Sequence, residues 1–208
     1  MFRIIGMAPS RKNPRICALC CEHMPAGGAE IEAVILFADV RGSTALAEQI
    51  GPTDYAAKLN RFYSTTTEVL IRHEATVDKL IGDEIMAFFV PGFAGPTFKQ
   101  SAVEAGQALL RAVGYGSDQE AWLPVGVGID SGTAFVGNVG GEGFLDFTAL
   151  GDPVNVAARI QSAAGPGELL VGEAAFAAVA ERYPDCKSRP IEAKGKTGPL
   201  RVYSVPLA

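Results

Sequence analysis

Two runs rich in β-forming residues, Ala75 to Ile81 and Ile85 to Val90, stand back to back with only Gly82-Asp83-Glu84 between them. So short a link joins antiparallel neighbours, because a parallel crossover needs a dozen residues or more. Long helical stretches flank this hairpin. Pro52 to Arg72 sets Tyr55, Leu59, Phe62, Tyr63, Val69 and Leu70 at mostly helical spacing, and Thr97 to Val113 reads as a second helix. Upstream, Ala33 to Ala38 is a short apolar run typical of a buried strand. Downstream, Leu123 to Asp130 and Ala134 to Val139 read as a strand pair and Phe144 to Leu150 as a short strand. Asp152 to Ala163 reads as a helix with Pro153 in its first turn. Strand Leu169 to Val171, helix Glu173 to Ala180 and β segments around Ile191 and Leu200 to Val205 complete the chain. Strands that pair with one another, instead of alternating singly with helices, predict an α+β sandwich with helices packed against one sheet.

The apolar share of 48% supports a real core, and 208 residues suit one domain with a short appendage. A composition shift at Gly27-Gly28 divides a Cys-containing arm, residues 1–29, from a domain over 30–208. The net charge of −5 argues against a protein that grips nucleic acid by bulk charge. The uncharged stretch Ile85 to Phe98 is interrupted by Pro91, Gly92, Gly95 and Pro96 and is too short to span a bilayer. No signal-peptide run follows the basic N-terminal residues, so the expected location is cytoplasmic.

Asp39 closes the first apolar strand and Asp83 sits at the hairpin tip, where a carboxylate is held rigidly yet reaches the surface. Taken singly, either reads first as a turn or cap residue. Taken as a pair on neighbouring strands, they have the oxygen chemistry that hard Mg²⁺ or Mn²⁺ shares with substrate phosphates. Arg41-Gly42-Ser43-Thr44 leads into a helical pattern, with Ser43 or Thr44 as the expected N-cap. The N–H groups of Gly42, Ser43 and Thr44 would form an anion site beside the metal carboxylate. Asn155 and Arg159, four apart, share one helix face. A guanidinium there suits charge on a transferring phosphoryl group.

Three runs in this order, Phe37-Ala38-Asp39-Val40-Arg41-Gly42-Ser43-Thr44, Lys79-Leu80-Ile81-Gly82-Asp83 and Leu150-Gly151-Asp152-Pro153-Val154-Asn155-Val156-Ala157-Ala158-Arg159, resemble the class III nucleotidyl cyclase catalytic domain. Ala193-Lys194-Gly195-Lys196 fits as well. The resemblance covers about residues 30–205. It implies a ferredoxin-like βαββαβ sandwich with additional C-terminal strands and helices, working as a homodimer. It further implies that Asp39 and Asp83, with the Val40 carbonyl, bind two Mg²⁺ or Mn²⁺ ions per site. Lys79 and Thr148 would recognise adenine, Asn155 would orient the ribose, Arg159 would stabilise the α-phosphate, and Lys194 would hold the terminal phosphates of ATP. The metal aspartates would come from one chain and the remaining groups from the other, giving two shared sites.

Guanine-specific relatives place a Glu where Lys79 stands, so the resemblance is to adenylate cyclases. Thr148 departs from the commoner Asp and resembles the subgroup that includes bicarbonate-responsive enzymes. A catalytically silent ATP-binding or dimerisation module is the competing class, and such modules typically lose a metal Asp or the Arg that are all present here. A diguanylate cyclase would show a Gly-Gly-acidic hairpin, whereas this one reads Ile81-Gly82-Asp83-Glu84. No dinucleotide or P-loop fingerprint opens a helix. In the arm, Cys17, Cys20, Cys21 and His23 include half a zinc spacing without its other half; the alternatives are a zinc knuckle or a reduced, partly mobile arm.

Overall fold

A computed structural model describes residues 8–23, 25–141, 144–192 and 198–207. A βαββαβ unit lies at its centre. Strand β1 (Gly27–Val40) is followed by helices α2 (Ser43–Ile50) and α3 (Pro52–Arg72), the hairpin β2 (Thr76–Ile81) and β3 (Glu84–Phe89), a short α4 (Pro91–Ala94), α5 (Phe98–Ala112) and β4 (Val125–Gly141). The order β2-β3-β1-β4 is antiparallel throughout. This is the ferredoxin-like arrangement, extended by β6 (Leu169–Gly172), β8 (Leu200–Val205) and β7 (Lys187–Ile191) beyond β4. Strand β6 pairs with β4 in parallel, after β5 (Phe144–Leu150) and α6 (Asp152–Ala163).

Each face of the sheet has its own apolar layer. On one side α3 contributes Phe62 and Leu70, and α5 contributes Phe98, Leu109 and Leu110, against Val34, Leu36, Ala87, Val127 and Ile129. On the other, Ile35, Phe37, Met86 and Phe88 face Ala149 of β5 and Ala157 of α6. Strand β5 pairs with β4 yet crosses this second face, so that the Phe88 and Phe147 rings sit 6.1 Å apart. The crossing brings β5 to β2, the far edge of the same sheet.

Three local expectations change. The segments Leu123 to Asp130 and Ala134 to Val139 are not a pair but parts of one strand, β4, kept continuous by unbroken pairing with β1 from Val125 to Asn138. Helix α7 is shorter than expected, Glu173–Phe176, with a separate 3₁₀ turn at Ala180–Arg182. Gly42 (φ 68°), and not Ser43 or Thr44, caps α2; a left-handed residue is needed to turn out of β1, which glycine supplies without strain.

The described part of the arm is packed, not loose. Ser10 and Ile16 close a backbone loop, the Lys12 carbonyl accepts from the Val77 N–H at 2.8 Å, and Asn13 Nδ2 donates to Thr76 Oγ1 at 2.9 Å. Helix α1 (Ala18–His23) follows. The side chains of Cys20 and His23 lie outside the described residues, so the zinc expectation has no geometry to meet. Cys21 is buried and Cys17 half-buried.

Candidate active site

The acidic corner forms where β1 ends against the β2–β3 turn. Asp39 and Glu84 are direct partners across β1 and β3, and the Val40 N–H donates to the Asp83 carbonyl at 3.3 Å, which fixes the turn beside the strand end. Burial raises the Asp39 carboxyl above its ordinary range; the Arg41 guanidinium, which donates to Asp39 Oδ2, opposes this, and nearby Asp83 adds to it. Glu84 is pushed up to about 7, by burial first and then by Asp39 and Asp83. Tyr63 closes the corner from α3 by donating to the Gly82 carbonyl. Tyr55 lies near Asp83 and Ser43, and its phenol is raised by burial and by the Asp83 charge. Beside it, Ser43, Thr44, Ala47, Glu48, Pro52 and Tyr55 line an open depression of about 520 Å³.

The donor set suits hard divalent cations: carboxylates crowded closely enough that Asp83 raises Asp39, and both raise Glu84, gain from positive charge placed between them. Among the described residues no three His, Cys, Asp or Glu side chains form a complete metal cage. A site that relies on two carboxylates, a carbonyl and substrate phosphates does not require one.

A second cluster lies where β5 meets β2. Lys79 Nζ donates to Thr148 Oγ1 at 3.3 Å and to Asp146 Oδ2 at 3.1 Å. Thr148, 4% exposed, is 2.6 Å from Asp78 Oδ2. Lys12 of the arm reaches the same group, contacting Asp146 Oδ1 and donating to Asp78 Oδ1 at 3.3 Å and the Phe147 carbonyl at 2.8 Å. Burial works against the Lys79 charge, but Asp146 and Asp78 outweigh it and hold the amine above its usual range. Burial likewise works against the Asp146 charge, yet bonds from Lys12 and Lys79 hold that carboxyl below its usual range.

Helix α6 begins directly after β5, through Gly151. Pro153, Val156, Ala157, Ile160 and Gln161 are its buried face, which leaves Asn155 exposed and Arg159 half-buried one turn later. Among the described residues Arg159 has no hydrogen-bond or ion-pair partner. Lys194 lies outside the described residues.

The structure thus brings Asp39, Val40 and Asp83 together, and separately joins Lys79 to Thr148. Arg41, Glu84, Asp78, Asp146 and Lys12 were not singled out by sequence reasoning. Arg41 and Glu84 flank the two aspartates in sequence, a usable signal; Lys12 has none, being 134 positions from Asp146.

The fold and these motifs define a nucleotidyl cyclase domain: the family model for the adenylate and guanylate cyclase catalytic domain matches residues 29–205, and the chain belongs to this class III family. It is 31% identical to Adenylate cyclase 1 of Rhizobium meliloti over 185 residues, which is 84% of this chain and 27% of that protein. It is 34% identical to an adenylate cyclase of Anabaena cylindrica over 146 residues, 67% of this chain and 29% of that protein. An uncharacterised protein of Mycobacterium tuberculosis is 31% identical over 186 residues, 87% of this chain and 34% of that protein. The chain therefore spans about a third of the length of the curated relatives it matches. Among solved structures, the adenylyl cyclase CyaB from P. aeruginosa superposes with a TM-score of 0.75 at 26% identity, covering 86% of this chain and 96% of that one. The guanylyl cyclase Cya2 gives 0.73 at 27%, covering 86% and 93%. Among the described residues, no helix is long and apolar enough to cross a membrane.

Proposed function

We propose that this domain is an adenylate cyclase, converting ATP to 3′,5′-cyclic AMP and pyrophosphate at sites shared between two copies of the chain. The observation that carries the choice of base is the 3.3 Å contact between Lys79 and Thr148. It sets a cationic donor beside a hydroxyl, and adenine offers the matching edge: a ring nitrogen that accepts and an exocyclic amine that donates.

The reaction is an in-line attack of the ribose 3′-oxygen on the α-phosphorus, with loss of pyrophosphate. Asp39, Asp83 and the Val40 carbonyl would hold Mg²⁺ or Mn²⁺. Bound there, such ions ease deprotonation of the attacking hydroxyl and offset the triphosphate charge. The N–H groups around Gly42, Ser43 and Thr44 receive phosphate oxygens at the start of α2. Asn155 orients the ribose, Arg159 meets the charge that builds on the α-phosphate, and Lys194 takes the terminal phosphates. A half-buried arginine whose side chain has no partner among the described residues supports an anionic ligand for Arg159. The shared site is supported by Leu80, Ile81 and Leu150, which lie 46–49% exposed next to the base-recognising residues, apolar surface suited to cover by a second copy.

The test is turnover of ATP and GTP side by side with Mn²⁺ or Mg²⁺, at protein concentrations spanning dimer formation. Cyclic AMP should form in excess of cyclic GMP. Product at blank level throughout would overturn the enzyme reading, and a preference for GTP would overturn the adenylate reading alone.

A further inference from the structure

We infer that Asp78, ion-paired with Lys12 of the N-terminal arm, is a specificity-determining residue: it accepts the Thr148 hydroxyl hydrogen bond and so presents Thr148 to the purine as an acceptor. The inference rests on the assignment of Lys79 and Thr148 to base recognition.

A hydroxyl has one proton to give and two lone pairs. At Thr148 the partners are unequal. Asp78 Oδ2 lies at 2.6 Å, whereas the alternative acceptor, the Ala149 carbonyl, lies at 3.4 Å. A carboxylate only accepts, so the short contact places the Thr148 proton on the Asp78 side. Lys79 Nζ, a donor without lone pairs, takes one lone pair of Thr148 Oγ1 at 3.3 Å. One lone pair remains, and it can receive only a donor.

Adenine carries an amine at that edge of the ring and guanine carries a carbonyl. A site whose hydroxyl is locked as an acceptor pairs with the first and sets two acceptors against each other for the second. Thr148 alone, free to rotate, would not discriminate in this way. Asp78 is what turns a two-way hydroxyl into a one-way group.

The Asp78 side chain is wholly buried, and the structure sets cations against its other oxygen. Lys12 Nζ lies at 3.3 Å and Lys79 Nζ at 3.6 Å from Asp78 Oδ1. The arm is fixed there by its own backbone, through the bond from Val77 N–H to the Lys12 carbonyl. Lys12 is therefore a positioning residue, acting through Asp78, and the arm contributes to substrate choice.

The decisive variant is Asp78→Asn. Its amide oxygen can still face Lys12 and Lys79, which turns its NH₂ toward Thr148, so that Thr148 accepts from both neighbours and directs its proton at the base. Dissociation constants of ATP and GTP, from direct binding titrations, and kcat/KM for each nucleotide would be measured. The ATP-to-GTP ratio should fall by about tenfold or more, with GTP affinity rising in absolute terms, since mismatched buried polar groups are what such sites discriminate by. In a Thr148→Val background the same substitution should leave the ratio unmoved. Lys12→Met should shift the ratio in the same direction by a smaller factor. An unchanged ratio in a folded Asp78→Asn protein, or an equal change in the Thr148→Val background, would overturn the inference; if Asp78→Asn does not fold, an unchanged ratio in Lys12→Met does so. The wild-type ratio alone reports on the adenylate reading, and the change on substitution reports on Asp78, so the two fail separately.

Discussion

Gly128 and Gln161 touch through their backbones: a Cβ added at Gly128 would sit 2.1 Å from the Gln161 amide nitrogen and 2.4 Å from its Cα. Glycine in the middle of β4 thus lets α6 settle directly on the sheet, and α6 carries Asn155 and Arg159. Gly128→Val must push the helix outward, because neither atom belongs to a flexible side chain. The expected cost is about 2–3 kcal/mol in urea unfolding, with turnover lost even in the folded fraction. Turnover that persisted in a folded variant would detach the helix position from activity.

The proposed sharing of each site between two copies makes a mixing prediction. Asp39→Ala and Arg159→Ala should each be inactive alone, since each lacks a group that both of its sites need. Mixed, they should recover activity, because one of the two sites in the heterodimer is intact. Recovery would be read as cyclic AMP formed at increasing ratios of one variant to the other; a flat response would argue for a site within one chain.

The acidic corner makes a prediction about ions. Mn²⁺ should raise the melting temperature of the wild-type protein in proportion to the logarithm of its concentration above the dissociation constant, because it binds only the folded state. Asp39→Asn and Asp83→Asn should abolish most of that rise. Differential scanning fluorimetry without nucleotide checks this independently of catalysis.

Base recognition makes a prediction about Lys79. Lys79→Glu should lower ATP turnover more than GTP turnover, as a carboxylate accepts where the ammonium donates. Initial rates with the two nucleotides measure this, and an unchanged ratio would remove Lys79 from base recognition.

Away from the site, Glu168 gives a pH dependence of stability. Burial works against its charge, but the Gly165 N–H at 2.9 Å, Arg189 at 2.8 Å and Ser204 Oγ at 3.1 Å together hold the carboxyl below its ordinary value of 4.5. A lowered folded pKa means that the unfolded chain binds the proton more readily, so the contribution is complete above about pH 4.5 and is lost as pH falls through the folded value. Glu168→Gln should therefore destabilise by about 1–2 kcal/mol at pH 7, and the gap from wild type should narrow below pH 4. Denaturant titrations at both pH values test the sign.

Much of this architecture is legible because local rules and tertiary packing agree. Helices α3 and α6 begin and end where the proline-led periodic stretches Pro52 to Arg72 and Asp152 to Ala163 do, since each proline sits in the first turn and each apolar face is buried. The Asp39 and Asp83 corner is legible from strand ends. Where reading fails, long-range pairing overrides local character. Ser131-Gly132-Thr133 looks like a break, yet β1 continues past it and holds β4 as one strand. Lys12, Asp78 and Asp146 resemble solvated charges because the strand crossing that joins them leaves no local pattern. That crossing is a property of β5 passing over a face of its own sheet.

The two ends of the sheet also restrict how copies of this chain can meet. One outer strand, β2, already gives its Val77 N–H to the Lys12 carbonyl. The other, β7, reads Lys187-Ser188-Arg189-Pro190, two cations and a residue with no amide hydrogen to offer. Such borders resist strand-by-strand growth, in which an unpaired backbone recruits the next molecule. At these two borders a crowded solution of this domain is guarded against fibrous stacking through unpaired backbone.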